Sequence, residues 1–197
     1  MRTIQIILII SLFFGCSNSK DENIHNEIVE KVSSDLFRYR LDSLKKYSSE
    51  EFILEKEGRV YNYNDGFYTI EEGLSNYKKM ETQFDSIQYV DDGVGGSIKV
   101  MYTLSNWIME CFGNQKLLRI DTYYLLDKEI VKIEQSVLNR EIVDSVSISN
   151  QRNFFSWAQS KGLDDLYLDD GTLDQDNFFS YLRKYCDQKN EESAFID

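Results

Sequence analysis

The sequence predicts an α+β domain followed by helices, and three successive hydrophobic periods predict it. Apolar residues keep helical spacing from residue 24 to 46, alternate with a period of two from 85 to 138, and return to helical spacing after Ser147. Among the 197 residues there is no proline, so the turns rest on Gly, Asn and Asp.

In the first stretch Ile24, Ile28, Val32, Leu36 and Tyr39 form one stripe, widened by Phe37, Leu41 and Leu44. Ser33-Ser34 is where this stripe divides or bends. Ser48-Ser49-Glu50-Glu51 has the form of a capping box opening a short turn. Strand candidates at Phe52–Glu55 and Arg59–Tyr63 flank Gly58, and Asp65-Gly66 reads as a turn. Thr69 and Glu72 form a second capping box, with Ile70, Leu74 and Tyr77 as the buried face of the helix behind it.

Ser86 to Val90 is a strand, and Asp91-Asp92-Gly93-Val94-Gly95-Gly96 is a hairpin loop. Long strands are expected at 97–110, 116–126 and 129–138, with loops at Gly113-Asn114 and Asp127-Lys128. Ile98, Val100, Tyr102 and Leu104 share a face of the first. Leu118, Ile120, Thr122, Tyr124 and Leu126 share a face of the second. Consecutive strands of this length make an antiparallel meander that curves, because long twisted sheets do not stay flat. Beyond them, Phe154 and Ala158 mark a helix ending near Gly162. Phe178, Leu182 and Tyr185, with Phe179 and Cys186, mark a final helix opened by Thr172 or Asp174, before a frayed end from Asn190.

The N-terminus carries a different signal. In MRTIQIILIISLFFGC, Arg2 is a positive n-region, Ile4 to Phe14 an apolar h-region, and Gly15-Cys16 a cleavage point. The run falls short of the about 20 apolar residues of a membrane span. Leu12-Phe13-Phe14-Gly15-Cys16 resembles the lipobox read by lipoprotein signal peptidase, with Leu one place early and Phe where a small residue is usual. The resemblance implies a signal peptide over 1–15, acylation of Cys16, and membrane anchoring through that lipid in a bacterial cell envelope. Residues 16–23 then read as a polar tether, in which Lys20-Asp21-Glu22 is similar to a tag that sends some lipoproteins from the outer membrane to the cell surface.

With 34 acids against 22 Lys and Arg, the formal charge is −12, which argues against nucleic acid as a partner. One histidine, His25, rules out a histidine triad or a multi-histidine metal site. Cys111 and Cys186 either pair in an oxidising compartment or remain separate buried thiols. The acidic run from Asp164 to Asn177 fails as a calcium loop. With Gly171 in the sixth place, Leu166 and Leu168 occupy ligand positions and Asn177 stands where a bidentate Glu is needed. Gly93, Gly95 and Gly96 lead into a strand, without the helix N-terminus that a phosphate cradle requires. No cofactor is expected.

Two stretches carry a family resemblance. Tyr47 to Asn62 resembles the end of helix one followed by a strand closing on an acidic residue and Gly in nuclear transport factor 2-like domains. Asp121 to Ile133 is similar to the last hairpin of that family, with Asp127-Lys128-Glu129-Ile130 where Asp-Gly-Lys-Ile is usual. The resemblance spans residues 24–146 and leaves 147–197 as a C-terminal helical extension. It implies a cone-shaped curved antiparallel sheet wrapped round N-terminal helices, with a pocket at the open end. Relatives on this fold include ketosteroid isomerase-like and polyketide cyclase-like enzymes, dehydratases and non-catalytic binding domains, so the fold alone does not decide between them.

Three functional readings follow. The first is non-catalytic binding of a small apolar ligand or a protein partner. Tyr61 and Tyr63 near the mouth are candidate lining residues, as are Met101 and Trp107, placed with Met109 on one strand face, and Arg119. The second is an isomerase or dehydratase type of enzyme. Asp121 would abstract a proton while Tyr123 or Tyr102 donates to a developing enolate. Each of these residues has an ordinary alternative, in core packing, in cross-strand pairing or in a homodimer contact. The third is an interaction module working through its C-terminal helices, which requires an exposed apolar patch between residues 150 and 187.

Overall fold

The computed structural model describes residues 18–91, 96–113, 116–168 and 170–194. The signal segment, Cys16, most of the glycine-rich loop, Asn114 and the last three residues lie outside the described residues. The elements are α1 (Asn18–Leu36), α2 (Asp42–Tyr47), β1 (Ser48–Lys56), β2 (Arg59–Tyr61), α3 (Tyr63–Lys79), β3 (Gln83–Asp91), β4 (Ser97–Ser105), α4 (Trp107–Phe112), β5 (Leu117–Leu126), β6 (Glu129–Val137), α5 (Arg140–Ser160) and α6 (Gln175–Ala194), with a 3-10 turn at Asp164–Leu166. The strands form one unclosed sheet in the order β2-β1-β6-β5-β4-β3. Within it β1 is antiparallel to β2 and parallel to β6, with Leu54 opposite Tyr61 on one side and Ile133 on the other. The α+β class is as the sequence predicts; the parallel β1–β6 pair is not part of a simple meander.

Several element boundaries differ from expectation, each for a local reason. Helix α1 opens at Asn18, inside the stretch read as a tether, because a polar helix leaves no apolar stripe to detect. It also runs straight through Ser33-Ser34, where the Ser33 hydroxyl donates to the Val29 carbonyl at 2.7 Å. The break falls later, at Tyr39 with φ 57°. There Asp35 accepts from the Ser43 hydroxyl and the Arg40 guanidinium. The Ser43 bond, opposed by partial burial and assisted by Arg40, holds the Asp35 carboxyl below the ordinary range.

The first capping-box sequence is strand instead, since Ser48 pairs with Ile130 of β6 and the ladder overrides local preference. At the second, Asn62 is the residue that caps α3, its side-chain oxygen accepting from Asp65 N at 3.2 Å. Thr69 lies within the helix and donates to the Asp65 carbonyl. Gly66 is therefore helical and not a turn. A Cβ there would meet Leu54 Cβ at 3.2 Å and Phe52 Cε1 at 3.3 Å, so glycine lets α3 approach β1 closely.

The strand expected over 97–110 stops at Ser105. The Asn106 side chain accepts from Met109 N at 3.0 Å and Gly113 closes the short α4 at φ 64°. Trp107 and Met109 are consequently helical and do not share a strand face with Met101. The β5–β6 turn is made by Asp127 and Lys128, both at positive φ (49° and 70°), which supplies the twist of a type I′ turn without glycine. Helix α5 begins at Arg140, ahead of Ser147. Asp174 opens α6 by accepting from Asp176 N at 2.9 Å and Asn177 N at 3.1 Å.

The chain packs as two compact units. The first comprises the described part of Met1–Leu74 with Gln88–Met101 and Ile120–Ser136. Its core is built on Val29, Val32, Leu44, Phe52, Leu54, Val100, Ile130 and Ile133. Phe67 closes on Phe52 at 5.2 Å and on Tyr63 at 4.7 Å between ring centroids. The second comprises Ser75–Ile87, Tyr102–Arg119 and Val137–Asp197. At its centre Phe154 lies edge-on to Phe178 at 5.5 Å and to Tyr185 at 5.8 Å. A disulfide joins Cys111 of α4 to Cys186 of α6, with Cα atoms 5.4 Å apart. Among the described residues no helix is long and apolar enough to cross a membrane.

Candidate functional site

The second unit holds a cavity of about 360 Å³. Its walls come from the end of α3 (Tyr77, Met80), from β4 and α4 (Leu104, Ile108, Met109), from α5 (Phe154) and from α6 (Phe178, Leu182). Among the described residues no Asp, Glu, Lys, Arg or His lines it. Polar groups are few: Thr82, Asn106, Gln151 and the phenol of Tyr77. Asn106 is already committed, capping α4 with its oxygen and directing its amide at the Met80 sulfur, 3.9 Å away. A concave apolar wall with a few placed polar groups is the chemistry of a small-molecule site.

Behind Tyr77 sits a buried cation. Arg119 is 8% exposed, and its Nη1 donates to the Tyr77 hydroxyl at 2.7 Å. Its guanidinium also lies over the Tyr102 ring, 5.8 Å from the centroid. Phe84 completes the aromatic surround, edge-on to Tyr77 at 6.0 Å and tilted against Tyr102 at 5.9 Å. Arg119 thus serves the cavity indirectly, by fixing one of its lining residues.

The other sequence candidates are distributed more widely. Asp121 belongs to the first unit, is 3% exposed, and its Oδ2 faces Gln135 Nε2 at 3.4 Å. Tyr123, on the same face of β5, is 1% exposed within that unit's core. Neither lines the cavity, nor does Tyr102, which packs against Arg119 and Phe84. Tyr63 is the aromatic partner of Phe67 and Phe52. Tyr61 borders a charged surface cleft of the first unit with Lys56, Arg59 and Glu72. Met101 is half-buried on the opposite face of β4 from Tyr102. Trp107 donates its indole N–H to the Lys79 carbonyl at 3.4 Å and is covered by the Arg183 guanidinium at 4.6 Å. Of the three residues grouped on one strand face, only Met109 lines the cavity.

Sequence reasoning missed Tyr77, Phe154, Phe178 and Leu182 as site residues. Their helical spacing was legible, but a core stripe and a cavity wall share that spacing. The acidic segment is closed on itself: Asp170 Oδ1 accepts from Thr172 N and Oγ1, and Asp165 accepts from the Tyr181 hydroxyl. It leaves Tyr167, Leu168 and Leu173 exposed around a Tyr167–Leu173 bridge.

No family model and no curated protein matches the chain. Among solved structures, a SnoaL-like protein of Jannaschia sp. CCS1 named as a polyketide cyclase superposes with a TM-score of 0.52 at 9% identity. That match covers 98% of the Jannaschia chain and 68% of this one. The fold is nuclear transport factor 2-like. Two further structures run along the same part-chain scale. A protein of Xanthomonas campestris pv. campestris named as a polyketide cyclase gives TM-score 0.48, 12% identity, and coverage of 64% of this chain and 98% of its own. A nuclear transport factor 2-like protein of unknown function from Cytophaga hutchinsonii gives TM-score 0.41, 14% identity, and coverage of 59% and 92%. At these identities the likeness to nuclear transport factor 2-like proteins is one of fold, and function has to be argued from the site.

Proposed function

We propose that the chain binds a small, predominantly apolar molecule in the cavity of its second unit, acting in a bacterial envelope from a lipid anchor on Cys16. The observation that carries the binding reading is the lining itself, a cavity of about 360 Å³ with a mainly aromatic, Leu, Ile and Met surface and, among the described residues, no carboxylate or amine. The acid–base mechanism read from the sequence needs its carboxylate within hydrogen-bond reach of the substrate, and Asp121 does not line this cavity. Binding is therefore preferred to catalysis.

Native mass spectrometry of the protein from its own host is expected to give a mass excess that disappears on denaturation. Met109→Trp, which places an indole in the cavity, is expected to abolish that excess at a cost of about 1–3 kcal/mol in stability. A wild-type protein of bare mass counts against the reading, as does an excess that survives in the variant.

The Cys111–Cys186 disulfide supports the envelope reading, because such bonds persist in oxidising compartments. Cys16→Ser is expected to move the protein from the membrane fraction to the soluble fraction. Unchanged membrane retention would remove the anchor from the proposal.

A further inference from the structure

We propose that the cavity selects its apolar ligand by one carbonyl-type oxygen, received by the hydroxyl of Tyr77; this rests on the binding reading above. The direction of the Arg119–Tyr77 hydrogen bond is fixed by chemistry. A guanidinium has only donors and stays protonated throughout the physiological range, so at 2.7 Å the phenol oxygen must be the acceptor. The phenol's own hydrogen is then left to donate, and Tyr77 lines the cavity.

Two further features sharpen that donor. The bond from Arg119 is charge-assisted and part-buried, and hydrogen bonds in series shielded from water polarise one another. Accepting from a cation therefore makes the Tyr77 hydroxyl a stronger donor than a solvated phenol. The ring is also held edge-on against Phe84 at 6.0 Å, which restricts where the hydroxyl can point. Met109, Phe154, Phe178 and Leu182 give the rest of the lining a mainly apolar character, with Thr82, Asn106 and Gln151 as its other polar residues. The arrangement fits a ligand with an apolar body and a single oxygen acceptor, and penalises one whose polar groups are spread along its length.

A matched pair of fluorescent probes tests this on the full chain. Prodan carries a propionyl carbonyl on a naphthalene, and 2-(dimethylamino)-6-propylnaphthalene replaces that carbonyl with a methylene. The wild type is expected to bind prodan at least about tenfold more tightly, the effect of one charge-strengthened hydrogen bond. Its bound emission is expected to lie to the red of prodan in a non-hydrogen-bonding solvent. Tyr77→Phe should bring the preference close to one, and binding of the carbonyl-free probe by the variant reports that the cavity is intact. Equal binding of both probes by the wild type overturns the inference and leaves the cavity reading standing, and so does a preference that persists in Tyr77→Phe. Failure of both probes to bind overturns the inference and the cavity reading together.

Discussion

Cys186→Ala is expected to lower the unfolding free energy by about 4 kcal/mol, one of the two largest effects considered. Cys111 and Cys186 are 75 residues apart in sequence, and a cross-link of that span removes much conformational freedom from the unfolded chain. The ion pairs that tie α6 to the end of α3 and the turn after it, Lys79–Asp176 and Arg183–Glu81, are well exposed, and such pairs contribute about 0–1 kcal/mol each. The Lys189 ammonium donates to the Cys111 carbonyl at 3.0 Å, one hydrogen bond of modest net value. Urea titration should show the wild type in strong reductant behaving like the variant, while reductant leaves the variant unchanged. A loss below about 1 kcal/mol would mean that the cross-link does not govern the stability of the second unit.

Phe154→Ala is the other large change, with an expected cost of about 3–5 kcal/mol. The ring is 1% exposed and packs against Phe155, Trp157, Phe178 and Tyr185, so its removal takes one ring contact from each of the four. It also lines the cavity, and truncation would enlarge a space that already exists. Relaxation is therefore poor, which places the cost in the upper half of the usual span. Denaturant titration at constant m-value would measure it; a cost under about 1 kcal/mol would show that α5 is not seated on α6 through this residue. The two variants act in one unit and share neighbours, so their costs are not expected to add.

These residues also mark how much of the molecule was legible beforehand. Period-two stretches identified β3, β5 and β6, and the aromatic stripes identified α5 and α6, because a long buried face repeats often enough to be counted. Short elements were hidden. Helix α4 has six residues, too few for a period, and only its bracketing Asn106 and Gly113 could have revealed it. Ser48 to Glu51 had the right letters for a cap, yet a ladder to residues some eighty positions later decided its conformation. For the site, Arg119 was among the candidate lining residues. Its partner Tyr77 was not, since the two are 42 residues apart and only folding brings them together. Sequence can flag an unusual residue on an apolar face, but it does not say which side chain that residue will hold in place.

The parallel pairing of β1 with β6 has a consequence for how the chain is made. A polypeptide emerges N-terminus first, so Ser48–Lys56 is complete long before Glu129–Val137 exists. Until then β1 has only the three-residue β2 beside it, and its other edge shows unpaired amides and carbonyls to any passing strand. The sheet cannot be laid down as the chain lengthens; it has to wait for its sixth strand to be threaded between the first and the fifth. A fragment ending before residue 129 carries an open flank where the native protein has β6.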